Sequence, residues 1–231
     1  MMAGLAREIE EPADLAAQAL EAAAWSGMPV DVRSWLGRGG RPPRSSHPAC
    51  LAVKAAAQQR LDGELLRVLR EGFWLRGEAL DGPELLEQAA RRVEGINLAR
   101  FAVDLRSSAM VEEFGADVHR AHQVPPEVRA RTSQRATLPA FAVGDGEPRW
   151  LAGRVTPEEL RDAVAAAGAE PRELPTPVEV LRRLGPLTTA EVAAAGGLPW
   201  TRAAAELWKA AAELAVVPER LPGGELWRAA P

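Results

Sequence analysis

Cys50 is the only cysteine in the sequence of 231 residues, and it is the first candidate for chemistry. It follows Pro48 near the third position of a predicted helix, where the helix dipole and free backbone amides lower the pKa of a thiol. His47 lies one turn upstream and could assist. Alternatively, Cys50 packs with Val53 and Ala57 at i+3 and i+7, because cysteine is among the most buried residue types. We favour packing and keep Cys50 as a candidate reactive thiol.

Two other polar groups are candidates for binding. His119 and His122 are three residues apart on a predicted helix, but a zinc site needs three or four protein ligands and no partner is evident. We therefore predict a solvated helix face, no metal site and no cofactor. Arg129, Arg131 and Arg135 could attract an acidic peptide or a glutathione-like carboxylate, although a solvated loop is the favoured interpretation.

Composition limits the class of protein. The length suggests between one and a half and two domains, and 47% hydrophobic with 26% charged residues is typical of a globular chain. The net charge of −4 argues against a nucleic-acid-binding face. No apolar run approaches the ~20 residues of a membrane span, and the first residues do not resemble a signal peptide. A single cysteine fits a reducing compartment, so we predict a cytoplasmic protein, although a periplasmic chain with one thiol would look the same.

A proline opens the β-type part of the chain. Pro139 precedes the apolar run 140–143, a glycine-rich turn follows, and the chain returns over 149–152. We predict that these two runs pair as a hairpin. Thr156 then begins a helix with a capping box. We also predict that the Leu138–Pro139 peptide bond is cis.

The rest of the chain is predicted to be helical on both sides of this unit. Residues 47–123 form a block of helices, and a proline-rich linker spans 169–177. Residues 178–231 contain three predicted helices and a hairpin, in the order of a winged helix. The third of these helices carries few cations among tryptophans and alanines, so we expect it to pack on the body or on a second subunit rather than on DNA.

Three segments together resemble the cytoplasmic DsbA-like oxidoreductases, in particular the FrnE-like group. They are 45–56, 112–117 and 138–141, and the likeness covers residues 1–168. It implies an α/β but mostly helical chain: an incomplete thioredoxin-like fold with an all-α insert at about 47–123 and a cis-proline strand–hairpin–helix unit at 134–168. The winged-helix-like module at 178–231 follows. Residues 1–5 resemble the end of the family's second strand, so we expect the strand and Cys-x-x-Cys helix that open the family's fold to be absent.

The resemblance also implies a function. The family exchanges thiols and disulfides with protein or peptide substrates, but its catalytic cysteines match no residue of this chain. Only the cis-proline loop carries over, onto Leu138 and Pro139 as substrate-binding residues. We therefore expect a family member without redox turnover of its own. The alternatives are a non-catalytic peptide- or protein-binding relative and a glutathione-dependent isomerase-like relative. A second copy or a partner chain would cover the incomplete sheet, and we expect no nucleic-acid or membrane partner.

Overall fold

The computed structural model describes residues 12–36, 44–129 and 137–231. The strand end predicted at 1–5 lies outside these residues. Most of the described chain is helical. The helices are α1 (Pro12–Ser26), α2 (Arg33–Leu36), α3 (His47–Ala57), α4 (Asp62–Arg70), α5 (Pro83–Ala90), α6 (Leu98–Leu105), α7 (Ser108–His122), α8 (Pro157–Ala166), α9 (Pro177–Leu184), α10 (Thr189–Ala195) and α11 (Trp200–Ala212). The strands are β1 (Ala140–Val143), β2 (Arg149–Ala152), β3 (Leu187–Thr188), β4 (Val216–Leu221) and β5 (Gly224–Ala229).

Helices α3 to α7 form one helical block around a shared apolar core. Helix α3 packs against α4, α6 and α7, and its alanines at positions 52, 55 and 56 are fully buried. Phe101 and Leu65 fill the centre with no exposed surface. The helix starts follow the sequence signals, because the Asn97 side chain accepts from the Arg100 amide and Ser107 accepts from Ala109. The predicted helical block is therefore present. Its small residues allow the helices to pack closely, and its polar caps set where α6 and α7 begin.

A π-helical turn, Glu71–Leu75, extends α4 and joins α1 and α2 to the block. The Trp35 ring packs against Phe73 at 4.8 Å and against Trp74 at 5.8 Å between ring centroids. Gly72 leaves room in this turn, because a Cβ there would lie 2.4 Å from the Glu78 carboxylate and 2.9 Å from a Leu80 methyl group, so both side chains would have to move. The sequence predicts an ordinary helix from Glu64 to Leu75 within the helical block, and the π turn was not predicted.

The central hairpin has the predicted register. Strands β1 and β2 are antiparallel, with Ala140 opposite Ala152 and Val143 opposite Arg149. One face of the hairpin packs on the buried Val124 and Val128. Within the described ranges these two strands form a two-stranded sheet. The predicted capping box at Thr156 and Glu159 begins α8, which follows the hairpin directly.

The tail, residues 176–231, has its own core. Its order is α9, β3, α10, α11 and the β4–β5 hairpin, and β5 lies between β3 and β4 in the sheet. Trp227 and Leu207 are fully buried among apolar residues of the same segment. From the length of the module, about 54 residues, the sequence predicts little core of its own, with Leu207, Trp208 and Trp227 supplying apolar groups for docking on the body or on a second subunit. That expectation was wrong for Leu207 and Trp227, because both side chains face inward within the tail.

The tail nevertheless contacts the helical body, as predicted. Arg76 of the body forms an ion pair with Glu219 of β4 at 2.6 Å. The Thr188 hydroxyl donates to the Met28 sulfur at 3.4 Å. Gly223 lies so close to the Val30 backbone that a Cβ there would approach it to 3.1 Å. Polar groups and a close backbone approach therefore contribute to this contact.

Candidate functional site

The loop before β1 is the first candidate site. The Leu138–Pro139 peptide bond is cis, which confirms the prediction. The Pro139 carbonyl accepts from the Gly153 amide at 2.9 Å, and the Thr137 amide donates to Val128 at 2.8 Å. These bonds tie the loop to its neighbours on both sides.

Leu138 lies between these fixed points and faces solvent. Its side chain is 42% exposed. Its own backbone N–H and C=O form no hydrogen bond with any residue in the described ranges. An exposed apolar side chain beside an available donor and acceptor is what an extended peptide needs in order to add as a strand. The loop therefore presents one backbone donor and one backbone acceptor that no described residue uses.

Of the three arginines proposed beside this loop, the structure describes one. The Arg129 Nε donates to the Val124 carbonyl at 3.0 Å, which holds the side chain against the end of α7 and the following turn. Arg131 and Arg135 lie outside the described residues. The proposed anion-attracting cluster is consequently represented by Arg129 alone.

Cys50 lies in the first turns of α3, as predicted, but the thiol is 5% exposed. Burial raises the pKa of Cys50 to about 11, because a thiolate there would lose its hydration, and the nearby Asp117 carboxylate acts in the same direction. His47 stacks edge-on against Phe114 at 5.4 Å. The burial of Cys50 favours the packing interpretation. The raised pKa agrees with it, because an activated thiol has a lowered pKa.

Three polar residues of α7, Asp117, Arg120 and His119, have polar contacts with neighbouring side chains. Asp117 pairs with Lys54 and Arg120, and although burial opposes it, hydrogen bonds from these cations lower the pKa of Asp117. His119 lies 2.9 Å from the Gln123 amide nitrogen. Within the ranges that the structure describes, no group of three or more histidine, cysteine or acidic side chains is arranged to hold a metal ion.

A second site, which sequence reasoning missed, lies between body and tail. Arg67 donates to Glu71 at 2.6 Å, to Glu191 at 3.0 Å and to the Pro186 carbonyl at 2.8 Å. A cavity of about 260 Å³ opens beside these groups and is lined mainly by α1, the loop after it and the π turn. The capping box of Thr188 and Glu191 was visible in the sequence, but a partner 124 residues away leaves no local pattern.

Electrostatics reinforce this contact. Burial disfavours the ionised Glu191, yet hydrogen bonds from Arg67 and from the Thr188 amide lower its pKa. Burial likewise disfavours the Arg67 cation, while the two carboxylates raise its pKa. Each partner thus stabilises the charged form of the other.

Comparison with protein-family models identifies the family of the chain. A family model described as thioredoxin matches residues 7–128, just over half of the sequence. The chain belongs to the thioredoxin family. The match runs from before α1 through the turn after α7, and the Leu138–Pro139 loop of this thioredoxin-family chain lies ten residues beyond its end. A search of curated proteins finds no match. No helix in the described part of the chain has the length and apolar character needed to cross a membrane.

Proposed function

We propose that this chain is a DsbA-like, FrnE-like member of the thioredoxin family that binds extended polypeptides at Leu138 and Pro139 and does not turn over disulfides by its own thiol. One observation carries the proposal: the Leu138 backbone lacks hydrogen-bond partners among the described residues, and its side chain is exposed. The resemblance to the DsbA-like group adds that this loop is the family's substrate-binding position.

Binding would use strand addition. The Leu138 amide and carbonyl offer one donor and one acceptor to a peptide backbone, and main-chain hydrogen bonds supply affinity without strict sequence requirements. The exposed Leu138 side chain favours an apolar residue in the peptide, because the contact removes apolar surface from water. The ligand class is therefore unfolded or extended polypeptide with apolar side chains.

The properties of Cys50 argue against catalytic turnover of disulfides by this chain. Exchange begins when a thiolate attacks a disulfide sulfur, and a second thiol must then resolve the mixed disulfide. The printed sequence holds one cysteine, whose burial raises its pKa to about 11. Cys50 therefore lacks both the thiolate and the resolving partner that a catalytic cycle needs.

Peptide binding is tested with a fluorescently labelled insulin B chain that has been reduced and carboxymethylated, so that it carries no thiol. Fluorescence anisotropy should show saturable binding to the wild-type chain. Leu138→Asp should weaken the binding about tenfold, a loss of ~1.4 kcal/mol. Val103→Asp is the matched control, because Val103 is an exposed apolar residue on α6, 71% accessible. Equal loss in both variants, or no binding by the wild type, would contradict the proposal.

Redox turnover is tested separately. The purified chain should show no multiple-turnover insulin reduction, and Cys50→Ser should give the same trace. Turnover that depends on Cys50 would refute the redox half of the proposal while leaving peptide binding to be judged by anisotropy.

We further propose that the tail is a winged-helix-like module used for packing rather than for nucleic acid. Its element order and its β3–β5–β4 sheet support this assignment. On α11, Arg202 is already paired with Glu206 at 2.6 Å, which reduces the positive charge available to phosphates. A gel-shift assay with duplex DNA at physiological salt should show no complex at micromolar protein.

A further inference from the structure

Strand β1 has one neighbouring strand in the part of the chain that the structure describes. It pairs antiparallel with β2, and the two strands form a two-stranded sheet. Along an antiparallel strand, alternate residues direct their backbone N–H and C=O groups to opposite sides. The residues of β1 that do not bond to β2 therefore direct these groups to the other edge of the strand.

The hydrogen bonds of the hairpin show which residues these are. The Gly153 amide donates to the Pro139 carbonyl at 2.9 Å, and Ala140 lies opposite Ala152. In that register Ala140 and Ala142 occupy non-hydrogen-bonded positions relative to β2, so their N–H and C=O groups point away from it. Neither residue has a backbone partner on that side among the described residues.

Leu138 continues this alternation. It lies two residues before Ala140, and its own N–H and C=O groups have no partner in the described ranges. Leu138, Ala140 and Ala142 together offer three donors and three acceptors over five residues. The loop before β1 and the free edge of β1 thus form one continuous stretch of backbone that is available for pairing.

The two edges of the hairpin differ in their side chains. Residues 137–143 include no charged residue. In contrast, β2 begins with the exposed Arg149, and Arg154 just beyond its end pairs with Glu21 of α1 at 2.8 Å. Charged side chains protect a strand edge against pairing with another chain. The edge of β1 has no such protection, which favours it as the edge that pairs.

We propose that an extended polypeptide binds along the whole of this edge as a third strand, antiparallel to β1, and pairs with Leu138, Ala140 and Ala142. The inference rests on the proposed function and extends the binding site from Leu138 to an edge of five residues. Antiparallel pairing lets each of the three residues exchange two hydrogen bonds with the peptide residue opposite. It is also slightly more stable per residue than parallel pairing.

The side chains along this edge indicate which sequences the added strand prefers. Residues opposite each other on paired strands project from the same face of the sheet. Ala140 and Ala152 share the face that packs on Val124 and Val128. Peptide residues opposite Ala140 and Ala142 project from that face, and the small alanine side chains leave space beside them. The ligand class is therefore a strand-forming segment with apolar residues at alternate positions.

The peptide side of the pairing is tested with a labelled seven-residue peptide with blocked ends, Lys-Val-Thr-Val-Thr-Val-Lys. Fluorescence anisotropy should show saturable binding to the wild-type chain. N-methylation of two valines removes donors on the side that faces β1 and should weaken binding at least about tenfold. N-methylation of the two threonines removes donors on the opposite side and should leave the affinity within about twofold.

Two proline substitutions test the protein side of the pairing. Ala142→Pro removes one donor from the free edge of β1 and should weaken binding about fivefold or more. Ala152→Pro is the matched control, because it removes a donor from the opposite edge of the same hairpin and should leave the affinity unchanged. Far-UV circular dichroism verifies that both variants remain folded, and the N-methylated peptides decide the question without any change to the protein.

The outcomes distinguish this inference from the proposed function. The carboxymethylated insulin B chain could bind at Leu138 while the two N-methylated peptides lose affinity equally, which would retain the proposed function and overturn the third strand. A folded Ala142→Pro variant that binds the peptide as well as the wild type does would overturn it too. No binding of either polypeptide would contradict both.

Discussion

Arg67 and Glu191 lie 124 residues apart in the sequence and form a two-pronged ion pair across the contact between body and tail. The same Glu191 carboxylate accepts from the Thr188 amide at 2.8 Å and so caps α10. One side chain thus holds the start of a tail helix and the body at once. A few polar atoms of Arg67, Thr188 and Glu191 thus help to fix the position of the tail relative to the body.

Replacing Arg67 should destabilise the chain. Arg67→Ala leaves Glu191 and Glu71 partly buried without their cation, which should lower the free energy of unfolding by ~2–4 kcal/mol. Urea denaturation measures the change. The matched control is Arg92→Ala, whose ion pair with Glu78 is more exposed and should contribute less than ~1 kcal/mol. Equal effects of the two substitutions would contradict the role given to Arg67.

The stability supplied by Glu191 should depend on pH. Although burial opposes it, the bonds from Arg67 and Thr188 lower the pKa of Glu191 in the folded chain. The contribution is therefore present above the ordinary glutamate pKa of about 4.3 and is lost as the pH falls through the lowered value. Glu191→Gln retains a capping side chain but has no charge. The difference in unfolding free energy between wild type and Glu191→Gln should be largest near neutral pH and should shrink in acid. A difference that is constant from neutral pH to pH 3 would refute this account.

Cys50 should react slowly in the folded chain. With its pKa raised to about 11 by burial, the thiolate fraction at pH 7 is on the order of 10⁻⁴. Alkylation by iodoacetamide, followed by mass spectrometry, should be slow at pH 7 and become fast in urea. Cys50→Ser should lower the free energy of unfolding by ~1–2 kcal/mol, because it buries a hydroxyl in an apolar site. Rapid alkylation of the native chain at pH 6 would instead identify a functional thiolate.

The buried indole of the tail should be sensitive to its acceptor. Trp227 Nε1 donates to the Thr189 hydroxyl at 2.9 Å. Thr189→Val removes the acceptor and leaves a buried N–H unsatisfied, which should reduce the free energy of unfolding by ~1–3 kcal/mol. Thr201→Val on the exposed face of α11 is the control and should stay within ~0.5 kcal/mol of the wild type. Thermal unfolding followed by near-UV circular dichroism distinguishes the two outcomes.

The parts of the fold that could be predicted from sequence are those decided by neighbours in the chain. Thr156 with Glu159 predicted a helix start, and the two runs flanking the glycine-rich turn predicted the β1–β2 hairpin, because a cap and a hairpin are made within a few residues. The partner of Arg67 could not be predicted, since it depends on how two distant segments meet. The direction in which Trp227 faces was also misjudged, because a tryptophan on a short hairpin gives no sign of which side is covered.

The body and the tail each contain a pair of tryptophans in contact, which gives each part its own spectroscopic probe. Trp35 and Trp74 are in contact within the body, with ring planes at 61°, and Trp208 and Trp227 are in contact within the tail, with planes at 82°. Indole rings at such separations couple their electronic transitions, so each pair gives its own near-ultraviolet signal. Replacing one ring of a pair with phenylalanine removes the coupled part of that signal and leaves the coupled signal of the other pair. The unfolding of body and tail can then be followed separately in one unlabelled sample.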